Sequence, residues 1–184
     1  MTSLLSSKRV ERFDAAVDGA FKTLRGHRAA DRLFYGASEL GDHGMIWVMF
    51  AALLGLRSDR HWRAALRAGL GVGIESVIVS GGIKSLFRRS RPVPDAPRPL
   101  PLRIPRTSSF PSGHATSAFC AATLLSDADP ALAPVYFGVA GVVALSRIHV
   151  QIHHASDVAG GVALGLILGQ IGRRLVPLDR AGQE

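Results

Sequence analysis

The chain has 184 residues, 47% of them hydrophobic, with 22 basic and 14 acidic residues and a net charge of +8. That length suits one domain, and so much apolar residue beside so much charge fits a soluble domain poorly; it suits a membrane protein with apolar spans and charged connections. Of the partners a basic excess allows, nucleic acid is set aside because few aromatics flank the basic runs and no nucleic-acid-binding motif is present, which leaves membrane lipids and an anionic substrate.

Residues 1–30 mix Val10, Phe13, Val17, Phe21 and Leu24 with Lys8, Arg9, Arg12, Lys22 and Arg25. The three- and four-residue steps predict an amphipathic interfacial helix, lying on the membrane surface or packed on the rest of the protein. The polar start lacks an apolar core followed by a cleavage site, so no cleavable signal peptide is expected. Five apolar segments follow, at about 33–56, 64–83, 114–125, 131–145 and 158–172. A helix needs about 20 residues to cross a bilayer. The last three reach that length only if polar residues at their ends continue the helix. The resulting fold class is an all-α integral-membrane helical bundle of about five transmembrane helices, with the membrane domain at 31–176 and a polar tail at 177–184. The alternative, five core helices of a soluble bundle, is disfavoured by Gly-rich, nearly charge-free runs such as 158–172.

The connections carry information. Residues 57–67 form a short basic loop, and 126–130 a tight turn. Residues 88–111 hold seven of the ten prolines, which block helix, and a loop of that length is expected to rim or cover a site. The lone Cys120, in an Ala-rich run, is expected to be a packed thiol. Glu75 falls inside the second span, where an ionisable group is expensive, and is expected to pair with a polar group on another helix.

Alternating spans return to one face. Lys84 ends the second, His114 begins the third, Arg147 ends the fourth and Asp157 begins the fifth. Lys84, Arg91 and Arg147 would converge there, and several fixed cations are what a phosphoryl group needs. Arg88, Arg89 and Arg173 read as side chains snorkelling to headgroups. Ser112 and Gly113 stand at a loop-to-helix junction, where free N–H groups would face an anion. His153 and Asp157 are four apart and would share a helical face. A carboxylate on Nδ1 would leave Nε2 as a nucleophile. His149, His153 and Asp157 would also share a face as metal ligands, a reading ranked lower because a metal site does not call for three nearby cations. Asp42 and His43, near the start of the first span, are candidate headgroup contacts.

Three motifs make the chain resemble the type 2 phosphatidic acid phosphatase superfamily, which shares its site with vanadium haloperoxidases. They are Lys84, six residues, then Arg91-Pro92; Pro111-Ser112-Gly113-His114; and Ser146-Arg147, five residues, His153, three residues, Asp157. The resemblance implies a membrane lipid phosphatase that needs no metal or other cofactor. In it His153 attacks phosphorus and His114 protonates the leaving oxygen. Asp157 orients His153, while Lys84, Arg91, Ser112, Gly113 and Arg147 hold the phosphoryl oxygens. His154-Ala155 stands where the family often has Tyr-Pro, and Ile148-His149 where it often has Val-Tyr.

The lipid phosphate expected is polyprenyl or glycerolipid. A polyprenyl diphosphate and a polyprenyl-phosphoryl pentose 5-phosphate of cell-envelope synthesis are the leading candidates, with phosphatidic acid and phosphatidylglycerol phosphate open. With five spans, 15 of the 22 basic residues fall on the site's side and 7 opposite, or 12 against 7 without Lys84, Arg91 and Arg147. The positive-inside rule then favours a cytoplasmic-facing site in a multi-pass cell-membrane protein. A vanadate-dependent peroxidase would use the same cations, although its usual context is a larger soluble chain; a non-catalytic lipid-binding protein would not need the His114, His153 and Asp157 set.

Overall fold

A computed structural model describes residues 7–178. The tail expected at 177–184 lies almost wholly outside the described residues. Those described form seven α-helices and no strand: α1 (Lys8–Lys22), α2 (Arg28–Leu40), α3 (Met45–Gly55), α4 (Asp59–Val77), α5 (Gly113–Ala128), α6 (Ala133–His149) and α7 (Ala155–Leu175). Ser7 and Ser58 cap α1 and α4, each accepting from a backbone N–H of the first turn. The long α4 continues through a π turn (Ile78–Gly82) and a 3-10 turn (Ile83–Leu86), and this irregular end carries Lys84.

Two expectations change. The segment expected as a basic loop at 57–67 is helical from Asp59 onward, as the first turns of α4, and the segment at 33–56 is not one helix. It breaks between α2 and α3, where His43 (φ 55°) and Gly44 (φ 68°) take left-handed backbone. Gly41 at the same bend lies so close to α5 and α6 that a Cβ would sit 2.9 Å from the His114 ring and 3.0 Å from Val143. Of the two placements open to the amphipathic N-terminal segment, it is packed on the body: Val17 and Phe21 of α1 join a cluster containing Ile148, Ala155 and Val158. Phe13 stays about half exposed.

Helix α5 is the centre of the bundle. Its Ala118, Cys120, Ala121, Ala122, Leu124 and Leu125 are buried, so Cys120 is the packed thiol expected. Small side chains let other helices approach it closely. Along α7 the contact uses Gly161, Gly165 and Gly169. A Cβ at Gly161 would meet the Ser112 carbonyl at 2.6 Å, and one at Gly169 the Thr123 Cβ at 2.6 Å. A bulkier residue would push α7 off α5 and with it Asp157 off Ser112.

Among the described residues, three helical stretches are long and apolar enough to cross a membrane: Asp59–Leu86, Pro130–His149 and Ala155–Leu175. The polar motif residues do continue these helices, since Arg147 and His149 end α6 and Asp157 lies in the first turn of α7. The stretch Asp42–Gly55 is apolar but shorter, and α5 has 16 residues.

Candidate active site

The end of α4, the starts of α5 and α7 and the end of α6 meet at one pole of the bundle, as alternation of spans requires. The Pro-rich segment covers that pole without helix or strand. Arginines tie it down through backbone carbonyls: Arg91 donates to Ile152, Thr107 and Ser108, and Arg98 to Val150 and Gln151.

His153 lies in the turn between α6 and α7, not on a helix with Asp157. The chain leaves the helical path after His149, passing Gln151 at φ 53°, and α7 starts only at Ala155. The pairing inferred from spacing is therefore reached by another route. Asp157, in the first turn of α7, folds back, its Oδ2 accepting the His154 N–H at 2.9 Å and standing 3.6 Å from His153 Nδ1. The same break turns His149 away from His153. His149 Nε2 meets Asp31 of α2 at 2.8 Å, and its ring packs on Phe34. The helical-spacing metal set is thus not formed.

Arg91 Nη1 lies 3.2 Å from His153 Nε2. A guanidinium only donates, so Nε2 must accept. That places the proton on Nδ1, toward Asp157, and the lone pair on Nε2, toward the cations.

Asp157 is itself held. Ser109 Oγ donates to Oδ2 at 2.5 Å, and Arg89 Nη1 to Oδ1 at 2.5 Å. The other arm of Arg89 donates to Asp14 of α1 at 2.6 Å, and Asp14 also accepts from the Ser156 N–H and hydroxyl. Arg89, read from the sequence as snorkelling, is the link between α1 and the His153–Asp157 pair. Ser109 and Asp14 are likewise missed by sequence reasoning. For Ser109 the available signal was its place beside the Phe110-Pro111-Ser112-Gly113-His114 junction. Asp14 offers only a carboxylate inside a basic amphipathic helix.

The cations close round the turn. Arg147 is fully buried, donates from Nη1 to Ser38 of α2, and leaves Nε and Nη2 without a partner. Arg91 Nε and Ser112 Oγ are also buried and unpartnered. Buried polar atoms are normally satisfied. Four orphans of this kind, at residues the sequence assigns to phosphoryl oxygens, describe an anion cradle. Ser112 is the N-cap residue of α5 but makes no side-chain cap bond; its hydroxyl is one of the four. The first-turn N–H groups of α5 have no acceptor within the helix. Lys84 Nζ lies beside Gly113, 3.8 Å from where a Cβ would stand.

His114 Nε2 lies 2.8 Å from Asp42 Oδ1. Asp42, expected at a headgroup, therefore stands against the His114 ring. His43 Nε2 meets Arg103 of the Pro-rich segment at 2.6 Å. A cavity of about 610 Å³ opens beside these groups, with His153, His114, Lys84 and Gly113 at its polar end and Trp47, Val48 and Val72 along its apolar wall.

A helical bundle with membrane-crossing helices and a buried histidine set among cations defines a membrane enzyme of phosphoryl chemistry. Residues 64–180 match the family model of the PAP2 superfamily, and the chain belongs to that superfamily. It is 40% identical over 137 residues to a decaprenylphosphoryl-5-phosphoribose phosphatase of Mycobacterium tuberculosis, which is 74% of this chain and 75% of that protein. The crystal structure of a transmembrane PAP2-type phosphatidylglycerolphosphate phosphatase from Bacillus subtilis superposes with a TM-score of 0.72 at 24% identity, over 98% of this chain and 92% of that one. A bacterial vanadium-dependent iodoperoxidase shares the fold at TM-score 0.63 and 14% identity, over 97% of this chain and 51% of that one.

Proposed function

We propose that the chain removes a terminal phosphate from a polyprenylphosphoryl pentose 5-phosphate through a phosphohistidine on His153. That it is a phosphatase of lipid phosphates follows from its family; the pentose substrate is argued from the 40% identical relative. The observation that carries the covalent mechanism is the orientation of His153, whose Nε2 lone pair faces Arg91 while Nδ1 faces Asp157.

The steps use the chain's own groups. Arg91, Arg147, Lys84 and the start of α5 take the phosphoryl oxygens, whose charge is what such a cradle stabilises. His153 Nε2 donates its lone pair to phosphorus as the ester P–O bond breaks. The departing oxygen takes a proton from His114, whose ring stands beside Asp42. Asp157 balances the positive charge on the phosphorylated ring. His114 then removes a proton from water, whose oxygen bonds to phosphorus as the N–P bond breaks and inorganic phosphate leaves. Headgroup and lipid would extend along the cavity's apolar wall. We read the bundle as five spans, α5 being enclosed by the others, and the site as facing the cytoplasm.

Purified protein should release phosphate from a prenyl-phosphoryl pentose 5-phosphate in detergent, and His153→Ala should lower that release by at least roughly 10³-fold. Full activity in His153→Ala would sink the mechanism.

A further inference from the structure

Glu75 of α4 is 2% exposed. One of its oxygens is provided for: Ser117 of α5 donates to Oε2 at 2.6 Å, the interhelical pairing expected of it. The other, Oε1, is buried without a partner. A glutamate kept only to join two helices would have both oxygens bonded within the protein. Both Glu75 and Ser117 line the cavity that holds His153, His114 and Lys84. Gly113 and Ser117 share one face of α5, so Ser117 stands one turn, about 6 Å, from the helix start that receives the phosphoryl group.

We propose that Glu75, oriented by Ser117, is a subsite for a hydroxyl group on the carbon skeleton that joins the scissile phosphate to the lipid. The inference rests on the phosphatase reading and specifies its substrate class: a sugar or polyol phosphate, not a phosphate esterified directly to the lipid chain. The ligand class follows from the charge and burial of the site. A second anion would be repelled by the carboxylate. An alkyl or prenyl chain would leave Oε1 buried and unbonded. A hydroxyl donates and accepts, so it satisfies Oε1 whether or not the carboxyl carries a proton. Glu75 is also the wrong charge for the phosphate cradle, whose side chains are cations and a hydroxyl.

The test compares two substrates in one detergent: farnesylphosphoryl ribose 5-phosphate and its 2,3-dideoxy counterpart. Wild-type protein should show a kcat/KM about 10- to 100-fold higher for the hydroxylated compound, the effect of one hydrogen bond to a buried charged group. In Glu75→Leu that ratio should collapse toward one, and Glu75→Gln, with the same shape, should give an intermediate value that is measurable even if the leucine variant does not fold. Equal kcat/KM for the two compounds in wild type overturns the subsite and leaves the phosphatase reading standing. An undiminished ratio in the Glu75 variants also overturns it. Phosphate release from neither compound overturns both.

Discussion

Burial pushes the imidazole of His153 down to about 3, with Arg147 and Arg91 adding to the push and Asp157 opposing it. Burial also lowers Arg91, partly offset by Asp157. His153, the proposed nucleophile, is therefore neutral, with its lone pair available, throughout the physiological range. Its folded value lies below the unfolded one of about 6.5, so as acid is added the unfolded chain takes up this proton first. The contribution to stability is full above pH about 6.5 and is lost as pH falls from there toward 3. The thermal midpoint of wild-type protein in detergent should drop between pH 7 and 4, and that of His153→Gln should drop less. Equal acid sensitivity would contradict a buried neutral ring. The residues proposed to hold phosphate and attack phosphorus could be named from the sequence because the three motifs prescribe their types and spacings. Arg89 was not. Its neighbours Arg88 and Arg91 look the same in sequence, and only the folded chain places its two arms between Asp157 and Asp14.

At the scale of elements, α1 matters more than an amphipathic pattern suggests. Asp14 is the acceptor for Arg89 and for two donors of Ser156, so α1 braces the first turn of α7, where Asp157 sits. Asp14→Ala should lower kcat by about 10- to 100-fold, the usual consequence of a slightly misplaced reacting group, with KM little changed. Recovery of kcat in Asp14→Asn would indicate that hydrogen bonding suffices, whereas wild-type kcat in Asp14→Ala would remove α1 from the mechanism. Helix type was readable from apolar runs; helix ends mostly were not. The break between α2 and α3 depends on Gly41 fitting against His114 and Val143, a tertiary contact that leaves no periodic trace. The extension of α6 to His149 was foreseeable, since a short apolar run could cross the bilayer only with its polar end included.

The whole molecule is polar at both ends in different ways. At the pole of the Pro-rich segment Arg147 and Arg91 keep buried N–H groups unpartnered, while Arg89 is paired with Asp14 and Asp157. At the other, Arg57 pairs with Asp129, and Arg67 and Arg173 with Asp127. A basic count weighs both ends alike, although the two differ in how many carboxylates their arginines meet. The orientation proposed here is tested by Ala96→Cys in the exposed Pro-rich segment. Native Cys120 is buried and should stay silent. In intact cells Ala96→Cys should resist an impermeant maleimide and react after permeabilisation; labelling before permeabilisation would reverse the orientation. The apolar cavity wall between α3 and α4, where Val48 and Val77 are exposed on the outside of the bundle, has a kinetic consequence. A substrate that arrives sideways through that wall is never at a bulk concentration. Its turnover is governed by mole fraction in the surrounding bilayer, so inert lipid added at constant substrate slows the enzyme by surface dilution alone, as a competitor would.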